Sequence, residues 1–381
     1  MTEYTTLGNL ISPAKVIRCG NGSYPVLSMT MHDGIVLQSD RFKKSLASAD
    51  QSDYKVVKYG QLVVGFPIDE GVLYIQKATN EGIMSPAYNV WDVDTLKVEA
   101  DYLELCLHSP QAMQYYCDKL RGSTARRRSI PTADLLALPI RLPTLEEQRE
   151  KLEMMAKMNA LIADRHQQLD LTDQLVKSRF IEMFGDTELN PYSWEKSTLG
   201  TICDVRDGTH DSPQYYETGY PLVTSKNVTG GKIDMTDCSL ICEADFQKIN
   251  ERSKVDIGDI IMPMIGTVGK PVIVDIEPEF AIKNVALIKF KMDTSVLNTY
   301  IQALLQSDYF DKAITSKVRG GTQKFISLGD IRKLEILVPP IELQQQFATF
   351  VEQTDKSKFE IQQSLEKLEI LKKSLMQQYF G

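Results

Sequence analysis

Four arginines fall within the eight residues Arg121-Gly122-Ser123-Thr124-Ala125-Arg126-Arg127-Arg128 of an otherwise acidic chain. A second loop, Arg319-Gly320-Gly321-Thr322-Gln323-Lys324, has the same flavour. Guanidinium, ammonium and amide groups on Gly/Thr-containing loops suit contact with a phosphate backbone, and Arg and Gln can also read base edges. Each loop follows a helix-like stretch and is itself followed by Ile and then Asp (Ile130, Asp134; Ile326, Asp330). A solvated loop with one salt bridge is the plainer alternative, but recurrence of the feature in both halves of the chain favours function. Ser28-Met29-Thr30 and Thr224-Ser225-Lys226-Asn227 occupy similar places in the two halves. They are short, polar and strand-terminal, suited to hydrogen bonding in a groove and equally to an ordinary turn. The candidate nucleic-acid contacts are therefore Ser28, Thr30, Arg121, Arg126, Arg127, Arg128, Ser225, Lys226, Asn227, Arg319, Thr322, Gln323 and Lys324.

Other chemistry finds less support. Gly266-Thr267-Val268-Gly269-Lys270 lacks the spacing of a phosphate loop, which needs four residues between its glycines and Ser or Thr after the lysine. A hairpin turn is the better reading. Asn190-Pro191-Tyr192 looks like a clipped Asn-Pro-Pro-aromatic loop of amino-methyltransferases. No Gly-rich strand–turn–helix precedes it to hold a methyl-donor nucleoside, and it reads as linker. The histidines (His32, His108, His166, His210) share no motif. His210 sits in the polar run Asp207-Gly208-Thr209-His210-Asp211, where a turn is favoured over a ligand contact. The six cysteines are scattered, with no paired zinc spacing, so no metal site is expected. Nothing here makes a catalytic apparatus, and the chain is expected not to be an enzyme by itself.

The elements that must position these loops come in two copies. Residues 142–185 and 338–381 align without a gap: Pro143 answers Pro339, Gln148 answers Gln344, and Phe184-Gly185 answers Phe380-Gly381, with 339 − 143 = 381 − 185 = 196. Upstream, Tyr102, Leu107 and Arg121-Gly122 answer Tyr300, Leu305 and Arg319-Gly320, and Thr6-Leu7-Gly8 answers Thr198-Leu199-Gly200. An internal repeat decides architecture before any local pattern does. Each repeat end starts with proline followed by acid and then runs without Pro or Gly to a terminal glycine, the signature of a helix. Met155, Ile162, Leu169, Val176 and Met183 fall seven apart, as do Ile361, Leu368 and Leu375, with Leu365 and Leu371 beside them. Seven-residue spacing is a coiled-coil seam. About 40 residues at 1.5 Å each make a helix of roughly 60 Å, and two of matched length pack most economically on each other, antiparallel. Packing on the helix's own domain is the plainer alternative.

The parts between the helices read as mixed strands and helices. Tyr24–Ser28, Gly34–Leu37, Gln61–Phe66, Ile257–Met262, Gly269–Val274 and Asn284–Phe290 look like strands, while Ala100–Leu120 and Thr299–Val318 look like helices. The fold class expected is α+β: a domain at 1–141, a helix at 142–185, a second domain at 186–337 and a second helix at 338–381, related by a pseudo-two-fold repeat. The hydrophobic fraction of 43% and charged fraction of 25% are those of a soluble globular protein. No apolar run approaches the roughly 20 residues of a membrane helix, and no leader opens the chain, so a cytoplasmic location is expected.

These residues resemble a known family. The Leu-Pro-Ile-Arg-Leu-Pro…Glu-Glu-Gln run at 138–148, the Leu-Glu-Ile-Leu-Val-Pro-Pro…Gln run at 334–344, the Lys-Ser…Phe-Gly helix ends and the Arg-Gly-Gly-Thr-Gln loop at 319–323 are similar to those of specificity subunits of type I restriction–modification systems. Tyr24–Ser28 and Ser85-Pro86-Ala87-Tyr88 add to the likeness, which covers nearly the whole chain. The resemblance implies two target recognition domains, each reading half of a split, asymmetric site on double-stranded DNA, spaced by the two helices. It implies two methyltransferase subunits docked on the chain and two ATP-driven restriction subunits. S-adenosylmethionine, ATP and Mg²⁺ would belong to those partners. Half-sites read from one face of a duplex lie about one helical turn, roughly 34 Å, apart. A coiled-coil scaffold without a DNA role is the rival reading, and a modification enzyme with an unrecognised site is a third.

The net charge of −8 opposes indiscriminate nucleic-acid binding, because phosphate affinity grows with basic contacts. The expected outcome is that the lone chain binds its DNA weakly and that tight binding needs the methyltransferase partners. Fluorescence anisotropy in physiological salt checks this; nanomolar binding by the lone chain would refute it.

Overall fold

Thr144 and Glu147 start the first long helix by capping each other. Thr144 N–H donates to the Glu147 carboxylate at 2.9 Å, and Glu147 N–H donates to Thr144 Oγ1 at 3.3 Å. This reciprocal pair satisfies donors that a helix start otherwise leaves open. The helix then runs Leu145–Phe184, and its counterpart runs Ile341–Phe380. The structure is a computed structural model that describes residues 3–31, 33–41, 50–120, 128–264, 270–291, 293–315 and 326–381.

The chain divides into two compact units, one of residues 1–166 with 363–381, the other of residues 167–362. The division falls inside both long helices, so each unit holds the start of one and the end of the other.

In the first unit, a four-stranded antiparallel sheet has the order Ile11–Pro13, Asn89–Val93, Leu62–Val64, Leu73–Ile75. Alternate residues of a strand point to opposite faces. Leu62 and Val64 accordingly enter a core with Leu73, Trp91, Tyr102 and Tyr116, while Val63 enters a second cluster with Leu27, Val57 and Met84. Two helices, Ala100–Leu107 and Pro110–Lys119, close the larger core. The sequence suggested one helix over Ala100–Leu120. It breaks because Ser109 caps a new start, accepting from Ala112 N–H at 3.2 Å, and Pro110 follows as the first helical residue. The strands Glu3–Thr6 and Pro139–Leu142 pair antiparallel and lead the chain into the first long helix.

The second unit repeats this plan. Its sheet order is Asp204–Asp207, Val285–Lys289, Ile260–Pro263, Val272–Ile273. Ala286 and Ile288 face one core and Val285 and Leu287 another, so this strand is buried on both faces. Asn298–Leu305 and Asp308–Thr315 replace the single helix expected over Thr299–Val318, with Ser307 in the place of Ser109. Glu195–Thr198 pairs with Glu335–Val338 before the second long helix. A further sheet joins Ser239–Ile241, Tyr220–Val223 and Ala281–Ile282.

Each long helix is held at both ends by the same contacts. Gln148 is fully buried; its Oε1 accepts from Glu99 N–H at 2.8 Å, and its Nε2 donates to Pro143 O at 2.9 Å and Lys97 O at 3.2 Å. Gln344 repeats this with Leu297 N–H at 2.8 Å, Pro339 O at 2.8 Å and Ser295 O at 3.0 Å. At the far ends, Phe184 packs against Tyr300 and Phe347 with ring centroids 4.8 and 5.4 Å apart, and Phe380 lies 5.1 Å from Tyr102.

Within the second unit the two helix segments run antiparallel: Phe184 meets Phe347, and eleven residues earlier Asp173 meets Lys358 at 2.6 Å. Buried and half-buried positions step alternately by three and four: Gln148, Lys151, Met155, Met158, Ile162, Arg165, Leu169, Thr172, Val176, Arg179 and Met183, then Gln344, Phe347, Val351, Thr354, Lys358, Ile361, Leu365, Leu368, Lys372, Leu375 and Tyr379. This is the heptad seam of a coiled coil. Leu371, beside the seam in sequence, is exposed. Among the described residues no helix is long and apolar enough to cross a membrane.

Truncating either terminal ring removes a large buried side chain. Phe184→Ala and Phe380→Ala should each cost about 3–5 kcal/mol, measured by urea denaturation, with amide-exchange protection falling first in the unit that holds the ring. A loss below about 1 kcal/mol would show that the helix ends do not depend on these contacts.

Candidate nucleic-acid interface

In the second unit, three polar segments meet. The turn Thr224–Asn227 follows the strand Tyr220–Val223 and is shaped by Asn227. Its Oδ1 accepts from Thr224 N–H at 3.0 Å and Thr224 Oγ1 at 2.9 Å, and its Nδ2 donates to Asp234 O at 3.2 Å. Asn227 is buried, so it builds the turn and does not project from it. The turn presents Ser225, whose Oγ donates to Asn284 O at 3.4 Å, and the exposed Lys226.

The second segment is Asp207–Ser212. Gly208 passes so close to the neighbouring chain that a Cβ there would lie 2.3 Å from Ile282 O. That approach demands glycine and lets Thr209 N–H donate to Ile282 O at 3.0 Å. The third segment, Lys283-Asn284, links the other two. Lys283 N–H donates to Val223 O at 2.9 Å, its Nζ donates to Ser212 Oγ at 2.7 Å, and Asn284 N–H donates to Thr209 O at 3.2 Å. Asn284 has φ of 56°, in the left-handed region that Asn tolerates better than most residues.

His210 sits between these parts. Nδ1 lies 2.8 Å from Asn284 Oδ1, and Nε2 lies 2.8 Å from Asp207 Oδ2. With these two oxygens as acceptors, both contacts are made as hydrogen bonds when both ring nitrogens carry protons. The bond to Asn284, then that to Asp207, raise the histidine pKa above its ordinary value against the cost of desolvation. Asp207 is only 7% exposed, and its other oxygen is paired with the Arg252 guanidinium. An acidic chain thus gathers Lys226, Lys283, His210 and Arg252 around one loop cluster. Spacing in sequence marks neither Lys283 nor Arg252 as a member of this cluster, and nothing local announces the conformation of Asn284.

In the first unit, Ser28 Oγ accepts from Gln38 Nε2 at 3.2 Å. Thr30 closes a turn, donating through Oγ1 to Gly34 O at 3.0 Å and accepting from Asp33 N–H at 2.8 Å. Arg128 pairs with Asp69 at 3.0 Å and with Glu70, and its carbonyl accepts from Ile68 N–H at 3.1 Å. These contacts fix Arg128 in place and neutralise its guanidinium. Arg121, Arg126, Arg127, Arg319, Thr322, Gln323 and Lys324 lie outside the described residues, as do residues 265–269 of the glycine-containing run. Among the helix positions named from sequence, Met155 is buried, and Ile162, Leu169, Val176, Ile361, Leu365, Leu368 and Leu375 are half-buried along the seam.

Burial pushes the thiols of Cys106 and Cys203 up to about 12, which keeps them protonated and unreactive. Among the described residues no group of three His, Cys, Asp or Glu side chains could hold a metal.

Residues 191–372 match the family of the type I restriction modification DNA specificity domain, and the first unit repeats the strand order and helix anchors of the second. The second half of the chain is thus similar to this specificity domain. Relatives of the chain include the MjaVIII and MjaIX type I restriction enzyme specificity subunits of Methanocaldococcus jannaschii. The first is 24% identical over 63% of this chain and 60% of the relative, the second 26% over 67% and 62%. The EcoKI specificity subunit of Escherichia coli K12 is 22% identical over 58% of this chain and 51% of its own length. The matched stretch thus spans about three-fifths or less of each of these curated relatives. Two solved structures share the fold over nearly all of both chains. One comes from a study of complex assembly and conformational transition of the type I R-M system, at 17% identity, a TM-score of 0.64 and coverage of 99% of this chain and 97% of that one. The other is the type I S subunit from M. genitalium, at 15% identity, a TM-score of 0.51 and coverage of 100% and 96%.

The Thr224–Asn227 turn buries Asn227 and exposes Lys226. Asn227→Ala should lower stability by roughly 1–3 kcal/mol, since it removes a buried amide and strands its half-buried partners. Lys226→Ala should stay within about 0.5 kcal/mol of the parent. Thermal melts followed by circular dichroism check both, and equal effects would refute the assignment.

Proposed function

We propose that the chain is the sequence-reading subunit of a type I restriction–modification complex, recognising a bipartite, asymmetric site on double-stranded DNA. The single observation that carries this reading is the duplication within a specificity family: two units on one plan, with presented loops that differ in sequence. In this reading residues 1–141 and 186–337 are the recognition domains, and different loops mean different half-sites. The long helices, 142–185 and 338–381, set the distance between them. From Gln148 to Phe184 and from Gln344 to Phe380 the count is the same, 184 − 148 = 380 − 344 = 36. A fixed count between anchors is what a spacer needs.

Ser225 and Lys226, with Lys283 beside them, would meet the DNA of the second half-site. Arg121, Arg126, Arg127 and Ser28 would do so at the first, and Arg319, Thr322, Gln323 and Lys324 would add to the second. Arg128, Thr30 and Asn227 support this reading as builders of the loops that carry the contacts. Two methyltransferase subunits would dock on the chain, with the helix seam holding Met155, Ile162, Leu169, Val176, Ile361, Leu365, Leu368 and Leu375 in register beneath them. Two restriction subunits would complete the complex. S-adenosylmethionine, ATP and Mg²⁺ would be bound by those partners.

The test is a map of modified adenines in cells that carry the complete system. Exchanging residues 1–141 for those of another family member should change one half of the modified motif and leave the other. Inserting one heptad into each long helix adds roughly 10 Å of helix, and should widen the gap between the halves by about two to three base pairs. A motif changed in both halves, or in neither, would overturn the two-reader assignment.

A further inference from the structure

We propose that His210 is the positioning residue for the second half-site: by bridging Asp207 and Asn284 it locks the Asp207–Ser212 loop to the Thr224–Asn227 turn and holds Lys226 and Lys283 as one preformed cationic edge. The inference rests on the DNA-reading function proposed above. Its geometry is independent of that function. The ring donates at 2.8 Å to an acceptor on each side, and Asp207 and Asn284 belong to segments 77 residues apart in sequence (284 − 207 = 77). Asn284 in turn accepts from Ser225 through its backbone, and its neighbour Lys283 reaches Ser212. Removing the ring frees the Asp207 carboxylate toward Arg252 alone and leaves the Asn284 amide without its partner. Preformed loops lose less conformational entropy on binding than loose ones.

With Asn284 Oδ1 and Asp207 Oδ2 as the two acceptors, the lock is complete when the ring is the imidazolium. The charged groups facing it are Asp207, on the strand Asp204–Asp207, and Arg252, at the end of the helix Glu243–Ser253. Lys283 and Asp211 are the nearest other charges along the chain. Asp207 favours the proton and Arg252 opposes it, and the bonds to Asn284 and Asp207 raise the pKa above the ordinary histidine value. A raised pKa means the lock is complete at lower pH and is lost as pH rises through that value. Reading of the second half-site should therefore weaken with rising pH, while reading of the first should not follow it.

The experiment uses the methyltransferase-loaded complex and three duplexes: the modified motif found in cells, and versions scrambled in the first or the second half. Anisotropy from pH 6 to 9 gives the discrimination at each half as a ratio of Kd values. Wild type should lose second-half discrimination as pH rises, with the first half flat. His210→Gln, whose two N–H groups sit on one nitrogen and whose amide does not titrate, should lower second-half discrimination about tenfold at low pH and flatten its profile. Asn284→Asp puts a second carboxylate on the ring and should move the fall to higher pH, an effect that loss of folding does not mimic. Wild-type discrimination and profile in His210→Gln would overturn the proposal, as would a pH-independent second half in the parent. Should His210→Gln fail to assemble, Asn284→Asp decides alone, and an unmoved profile refutes the lock. If wild type discriminates at neither half, the DNA-reading function itself fails, an outcome distinct from these.

Discussion

A buried glutamine at the head of each long helix fixes where the helix begins relative to the domain that precedes it. Gln148 and Gln344 use the whole amide: one oxygen accepting a backbone N–H, one nitrogen donating to two carbonyls. Out of water, such an amide tolerates little displacement, since each broken bond leaves a desolvated polar group. The helix therefore cannot slide or rotate by a residue without losing several bonds together. The seam positions that follow inherit their facing from this point, and the terminal phenylalanine meets its tyrosine only if the count between is kept.

The seam itself is not strongly apolar. Arg165, Thr172, Thr354 and Lys358 interrupt Met, Ile, Val and Leu. Polar seam residues cost stability but penalise slipped registers, which suits the spacer role proposed for these helices. The weight of packing is instead concentrated at the ends, where Phe180, Phe184, Tyr300 and Phe347 form one aromatic cluster in the second unit.

The loop cluster of the second unit resolves a tension in the composition. A chain of net charge −8 can still present cations to an anionic partner if its carboxylates are engaged behind them. Asp207 is buried under His210 and Arg252, and Asp256 and Asp259 are paired with Lys289. Arg128 shows the reverse case: a cation at the end of a basic run in the sequence is paired with Asp69 and Glu70.

The α+β class, the two-copy plan, the long helices and their seam were legible in the sequence because each is a local or periodic property. Period, length and gap-free register survive without any knowledge of distant contacts. The capping box at Thr144–Glu147 and the helix break at Ser109-Pro110 were also written locally, though the second was read through as continuous helix. What only the tertiary structure decided was the role of individual polar side chains. Asn227 turns inward to Asp234, Arg128 meets carboxylates 58 and 59 residues earlier in the chain (128 − 70 and 128 − 69), and His210 is completed by Asn284. Residue type declares what a side chain can donate or accept. Whether it is offered to solvent or consumed inside depends on partners that folding brings from far along the chain, and no local pattern encodes those.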